Sequence, residues 1–323
     1  MALLTVSNLH VTFPSSRCAV RGLSLSVEQG EIHAIVGESG AGKSVTVNAI
    51  AGLLPPSAQV RVDQLQLGEL SLSDAGEKGL QKVRGRLIAM VFQEPAKHLN
   101  PALTIGALIG EALRYHLGLS RAGARERARG LMATVELDCS ALDAYPHQLS
   151  GGMQQRALIA LAISCGPELL LADEPTTALD ATVQGQILAL LDRLRRDVGM
   201  GVLLVSHDLG VVQQVADTVS VIYAGRVVES APAGQIFSHP IHPYTELLLR
   251  AIPSAAGRGR PLDAIPGRVP DSARVPQGCA FHPRCPIAGP ECATDAPELA
   301  ELRRRHHVSC HRASSVVLAQ ETT

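Results

Sequence analysis

A chain of 323 residues with 46% hydrophobic residues is long enough for about two domains, each with its own core. Its 29 Lys and Arg stand against 30 Asp and Glu, which excludes a protein built chiefly to hold a polyanion, so no nucleic-acid partner is expected. With no Trp and only 2% aromatic residues, the core must be aliphatic.

The opening segment alternates as a strand (Leu3, Val6, Leu9, Val11, Phe13) and carries neither the basic cluster nor the apolar run of a signal peptide. A second alternation follows at Leu23, Leu25 and Val27. IHAIVG (32–37) is a short apolar strand that runs into GESGAGKS (37–44), and VTVNAIAGLL (45–54) reads as a helix stopped by Pro55-Pro56. Residues 94 to 157 are Ala/Leu/Arg-rich with helical period, which predicts a helical insertion. Strands are expected at LLLAD (169–173), GVLLVS (201–206), TVSVIYAG (218–225) and RVVES (226–230), with a helix spaced through Ile187, Leu190, Leu191, Leu194 and Val198. Strands alternating with helices imply an α/β fold with a parallel, helix-covered sheet. The most apolar stretch, ALIALAISCGPELLLA (157–172), is broken too early to cross a membrane, which points to a soluble chain with reduced cysteines. Beyond 236 the composition turns rich in Pro, Gly and Arg. The domains are therefore expected at 1–235 and 236–312, with 313–323 as a loose tail.

GESGAGKS fits the G-x-x-x-x-G-K-S pattern in its required setting, after a strand and before a helix. Its backbone, Gly37, Glu38, Ser39, Gly40, Ala41 and Gly42, is suited to curl around phosphate oxygens at a helix N-terminus. Lys43 reaches the β/γ oxygens and the Ser44 hydroxyl binds Mg²⁺. LLLADE (169–174) ends an apolar strand in two carboxylates: Asp173 assists Mg²⁺, and Glu174 orients and deprotonates the attacking water. LSGGMQQR (149–156) places Ser150, Gly151 and Gly152 at the start of an apolar helix, a second helix-terminal phosphate site. One chain cannot easily wrap one nucleotide with both sites; a head-to-tail pair of chains can.

With these motifs in this order, residues 1 to about 235 resemble the ABC transporter ATPase family. The resemblance implies an ABC-type P-loop domain with an antiparallel β edge sheet and a helical subdomain, active on ATP with Mg²⁺. It implies that Phe13 stacks on adenine, although in a strand it fits a core position equally. Gln93, in VFQEP, would touch Mg²⁺ and the attacking water. Gln154 would belong to the signature, Asp180, in TTALD, to the loop at the dimer interface, and His207, in LLVSHD, would contact the γ-phosphate. HLNP (98–101), YPHQLSGGMQQR (145–156), YAGRVVE (223–229) and HPYTELLLRAIP (242–253) are similar to the dipeptide/oligopeptide importer ATPases. That likeness implies a peripheral subunit at the cytoplasmic face of the membrane. Its partners would be two transmembrane permease subunits, a second ATPase subunit and, indirectly, an extracytoplasmic solute-binding protein. EPAKH (94–98) departs from the relatives, which leaves other cargoes open: nickel or another metal chelate, glutathione, or an oligosaccharide. A soluble regulatory ABC ATPase is the alternative of a different class.

Cys279, Cys285, Cys292 and Cys310 are separated by five, six and seventeen residues. The tight Cys pair of structural zinc is missing, and four thiolates on a Pro/Gly-rich frame suit an iron–sulfur cluster. The subfamily resemblance implies a [4Fe-4S] cluster here; Zn²⁺ and unmetallated thiols remain alternatives. Arg284 and Arg303–Arg305 read as solvated charges or as offsets to a cluster's negative charge. His282, His306, His307 and His311 are available as substitute ligands. Cys18, Cys139 and Cys165 read as isolated residues.

Overall fold

A computed structural model describes residues 2–14, 17–177, 179–252 and 265–321. The chain divides into two compact units, one formed by Met1–Leu4, Val27–Ile32 and Gln66–Val205, the other by Thr5–Ser26, His33–Leu65 and Ser206–Thr323.

In the first unit the strands Ile88–Val91, Leu169–Asp173 and Gly201–Val205 lie parallel, in registers such as Ile88↔Leu169 and Leu169↔Gly201. The latter two are buried along their whole length, which explains their unbroken apolar sequences. The expected helical insertion is present as Ile105–Leu117, Arg121–Thr134 and Gly151–Ile163, preceded by the short helix Pro95–His98. Side chains of Thr104, Ser120 and Ser150 cap these three longer helices, each accepting a backbone N–H of the first turn. The helix expected around Ile187–Val198 spans Ala181–Val198 and buries Ile187, Leu188, Leu190, Leu191 and Leu194.

In the second unit Ile32–Val36 lies parallel to Thr218–Tyr223 through pairs such as Val36↔Val221. Thr218–Tyr223 turns back antiparallel onto Arg226–Pro232. The turn holds Ala224 (φ 45°) and Gly225 (φ 81°), both left-handed, which is the geometry a tight hairpin demands. The stretch from Cys279 to Val308, for which the sequence shows little period, closes on the same strands. His306–Val308 pairs antiparallel with Arg226–Pro232 (Glu229↔Val308), and Ala300–Arg303 pairs outside it. Residues Ala313–Glu321 are helical, and Ala313, Val316 and Val317 pack with Ile241 and Val308.

The helix after the glycine loop, Lys43–Ile50, is shorter than its sequence reading. Gly52 (φ 64°) ends it rather than the prolines, with Leu53 N–H bonded to the Asn48 carbonyl and Gly52 N–H to that of Ala49. Segments 59–91 also contain strands and a helix that the sequence reading left blank: all are short, and those before the buried strand Ile88–Val91 are mostly exposed. Among the described residues no helix is long and apolar enough to cross a membrane.

Candidate nucleotide site

Strand Ile32–Val36 delivers the chain into Gly37–Ser44. Two glycines are required there by space as well as by φ. A Cβ on Gly37 (φ 153°) would stand 2.2 Å from the Ile222 carbonyl oxygen, and one on Gly42 (φ 102°) 2.4 Å from that of Ala19. The loop is therefore pressed against neighbouring backbone and offers its other face outward, where Ser39 and Gly40 are exposed. Lys43 is buried, its ammonium donating to the carbonyls of Gly37 (2.8 Å) and Glu38 (3.2 Å). Ser44 sits in the first turn of Lys43–Ile50 and is half-buried. Ala41 is buried, and its carbonyl accepts from Gly225 N–H. Phe13 closes its strand half-buried, so it is not a core residue. His207 is exposed in the turn ahead of helix Leu209–Val215, which Asp208 caps.

Within the other unit, Asp173 is the buried last residue of Leu169–Asp173. Glu174 follows in a left-handed conformation, φ 49°, which is strained for a residue with a side chain. Its N–H donates to the Val205 carbonyl (3.0 Å). The Gln93 amide nitrogen donates to the Glu174 carboxylate at 2.9 Å, and the Thr177 hydroxyl at 3.0 Å. The kink thus lifts Glu174 out of the strand and holds its carboxylate beside exposed Gln93, while leaving Asp173 in the strand's line.

Ser150 caps Gly151–Ile163 through its hydroxyl, and Ser150 and Gly151 are exposed. Gly152 packs where a Cβ would meet Val183 at 2.9 Å. Gln154 reaches back past the helix N-terminus, donating to the carbonyls of Pro146 and Leu149. Asp180 is exposed, and its carboxylate accepts from the N–H groups of Thr182 and Val183 as the cap of Ala181–Val198. In the divergent EPAKH stretch, the His98 ring stacks on Phe92 at 3.9 Å and Lys97 pairs with Glu94.

Cys292 is buried, and Cys279, Cys285 and Cys310 are partly so. Burial raises the pKa of Cys279 and Cys285, and that of Cys310 to about 11. Each of these three thiols also feels the charge of Cys292, and Cys310 that of all three others. Among the described residues, no three His, Cys, Asp or Glu are grouped to hold a metal ion. Of the candidate substitute ligands, His306 is fully buried against Glu229 (2.7 Å), while His282 and His311 meet the carbonyls of Cys279 and Asp295.

Sequence reasoning passed over two features. Arg284 is not solvated: its side chain is 6% exposed and meets the Glu38 carboxylate with two nitrogens, at 2.8 and 3.1 Å. Glu229 is fully buried and accepts from Ile241 N–H, His242 N–H and His306 Nε2. The only signal for either was an acid inside an apolar strand and an Arg amid cysteines.

Comparison with known proteins gives this geometry a family. The model described as ABC transporter matches residues 20–177, and that described as oligopeptide/dipeptide transporter, C-terminal region, matches residues 228–292. The dipeptide transport ATP-binding protein DppD of Escherichia coli is 45% identical over 316 residues, covering 96% of this chain and 97% of its own. The chain belongs to the ATP-binding subunits of the dipeptide/oligopeptide ABC transporter family. A second member, the oligopeptide transport ATP-binding protein AppD of Bacillus subtilis, is 44% identical over 95% of this chain and 96% of its own. The dimeric structure of MJ0796, a bacterial ABC transporter cassette, superposes with a TM-score of 0.64 at 29% identity, over 71% of this chain and 98% of that one. The α/β P-loop fold and the ATPase activity expected from the motifs are those of this ABC family.

Proposed function

We propose that this chain is the ATP-hydrolysing subunit of a peptide importer and works at the cytoplasmic face of the membrane. The observation that carries the ATPase chemistry is the Glu174 turn: a carboxylate just past a buried aspartate, in a strained backbone, held by Gln93 and Thr177. In this reading Gly37, Glu38, Ser39, Gly40, Ala41 and Gly42 shape the phosphate cradle, and Lys43 exchanges loop carbonyls for the β/γ oxygens of ATP. Ser44, Gln93 and Asp173 serve Mg²⁺. Glu174 takes the proton of the attacking water, and His207 contacts the γ-phosphate. Phe13 offers its ring to adenine. Ser150, Gly151, Gly152 and Gln154 form the signature that closes on nucleotide held by a second ATPase subunit, and Asp180 anchors the loop at that interface. Two permease subunits receive the motion, and a solute-binding protein supplies the cargo. Residues 1–235 act as the ATPase domain with its helical subdomain at about 94–157, residues 236–312 as the extension and 313–323 as its tail.

Peptide cargo is favoured by the relatives, which are named for dipeptide and oligopeptide transport. We propose further that Cys279, Cys285, Cys292 and Cys310 hold a [4Fe-4S] cluster, with Zn²⁺ as the competing occupant. The cluster is favoured by the number and chemistry of the cysteines, four in one segment with Cys292 buried and the other three partly so, and not by a formed metal site, since among the described residues no such group is assembled. When bound it would crosslink a segment poor in core of its own. The test is anaerobic purification of the native complex with its membrane subunits, followed by metal and sulfide analysis and uptake assays with labelled peptides. Import of another solute but no peptide, or zinc in place of iron, would overturn the corresponding part.

A further inference from the structure

The phosphate loop is held from one side by the extension, and every residue involved lies in the same compact unit. Glu38, second in GESGAGKS, is gripped at two points. Its carboxylate takes both terminal nitrogens of Arg284, and its backbone N–H donates to the Tyr244 hydroxyl at 2.9 Å. That amide is thereby occupied by the hydroxyl, and the Ala41 N–H by the Glu38 carbonyl (3.2 Å). The carboxylate, a repulsive charge beside a triphosphate, is neutralised by a planar guanidinium that matches it in bidentate fashion.

Arg284 is itself fixed on all sides. Its Nε donates to the Pro266 carbonyl (2.7 Å) and a terminal nitrogen reaches the Tyr223 hydroxyl (3.3 Å). The guanidinium lies 5.7 Å from the Tyr223 ring centre and 5.9 Å from that of Phe281. Although burial opposes its charge, the hydrogen bonds it donates to Glu38 and Tyr223 outweigh it and raise the pKa of Arg284. Tyr223, Tyr244 and Phe281 are fully buried with ring centres 4.7 to 5.3 Å apart. A chain with only four Tyr and four Phe has placed three of them here, behind one loop. The supports come from three directions. Tyr223 ends the strand whose Ile222 carbonyl touches Gly37, and Tyr244 opens helix Pro243–Arg250. Arg284 sits in the turn His282–Arg284, between Cys279 and Cys285.

We propose that Arg284 and Tyr244 are positioning residues of the nucleotide site: they set the phosphate loop through Glu38, so that nucleotide affinity depends on the fold of the C-terminal extension. This rests on the reading of GESGAGKS as the ATP loop. The test is Mg-ATP binding by calorimetry to the purified full-length chain, with each variant's melting temperature measured alongside. Arg284→Ala should weaken Mg-ATP about tenfold, and Tyr244→Phe, which removes one hydroxyl and keeps the ring, about threefold. In a Glu38→Ala background, Arg284→Ala should change affinity less than about twofold, since its point of action is gone. In the assembled transporter, Arg284→Ala should raise KM for ATP and leave kcat within about twofold. Lys43→Ala separates the two readings. If it binds Mg-ATP like the parent chain, the site reading fails. If it abolishes binding while Arg284→Ala and Tyr244→Phe bind normally, only the positioning inference fails. Equal losses from Arg284→Ala with and without Glu38 overturn the inference too, and should Arg284→Ala not fold, Tyr244→Phe decides.

Discussion

Glu229 offers the sharpest stability prediction, because its carboxylate has no water to fall back on. It is fully buried on Arg226–Pro232, and three donors converge on it: Ile241 N–H at 2.7 Å, His242 N–H at 2.9 Å and His306 Nε2 at 2.7 Å. Two of these open the helix that carries Tyr244; the third lies on the strand His306–Val308. Glu229→Ala orphans all three. An orphaned buried donor costs about 1–3 kcal/mol, and partial relaxation around the vacated volume brings the expected loss to about 4 kcal/mol. Glu229→Gln keeps one acceptor oxygen but turns an N–H₂ towards a donor, so it should lose about half as much. The assay is thermal or urea unfolding of the purified chain. Limited proteolysis should show 236–312 becoming the first segment cut in Glu229→Ala. A loss below about 1 kcal/mol, or equal losses for both variants, would refute the idea that unsatisfied donors set the cost.

Glu174→Gln should bind Mg-ATP normally and lower turnover by about 10²–10⁴, read by phosphate release from the assembled transporter; near-full turnover excludes Glu174 as base. Gly37→Ala should abolish Mg-ATP binding, because its Cβ would sit 2.2 Å from backbone that cannot swing aside. Retained affinity would show that the loop adopts another path. Burial holds the His242 pKa at about 4, against 6.5 ordinarily, despite the opposing charge of Glu229. The unfolded chain therefore takes up a proton that the folded chain refuses. The contribution is intact above pH 6.5 and is lost towards pH 4, about 3 kcal/mol in all. His242→Asn, which keeps an acceptor for Tyr244 N–H, should flatten that slope in urea unfolding at several pH values; an unchanged slope would clear His242. Cys285→Ser should open 265–312 to protease while the loop still binds Mg-ATP more weakly than the parent, and an unaltered cleavage pattern would count against thiol crosslinking.

What the sequence made legible is what short-range chemistry dictates. Leu169–Asp173 and Gly201–Val205 announce themselves because a strand buried on both faces must be apolar throughout. The loop 37–44 is legible because Gly37 and Gly42 have no room for a Cβ. Less legible were partnerships over long sequence separations. Arg284 and Glu38 stand 246 residues apart, Glu229 and His306 77 apart. An arginine amid cysteines reads as solvated until the fold buries it. Nor does any local pattern encode the left-handed turn at Glu174, a position where glycine would be the conformational default.

These long-range contacts change what the extension is for. Had residues beyond 236 been an appendage, their buried charges would have been satisfied among themselves. Instead Arg284 spends its guanidinium on Glu38 of the phosphate loop, and His306 reaches Glu229 on the strand that follows the Ala224-Gly225 turn. Breaking either pair leaves an unmatched charge or donor in apolar surroundings, so the extension and the loop's supporting strands should come apart together rather than one after the other. Hydrogen exchange tests this directly. In the full chain, amides of Ile32–Val36, Thr218–Tyr223 and His306–Val308 should exchange with one common opening free energy, and Arg284→Ala should lower it for all three strands. Exchange of His306–Val308 at a much lower free energy than Ile32–Val36 in the parent chain would show that the extension opens alone.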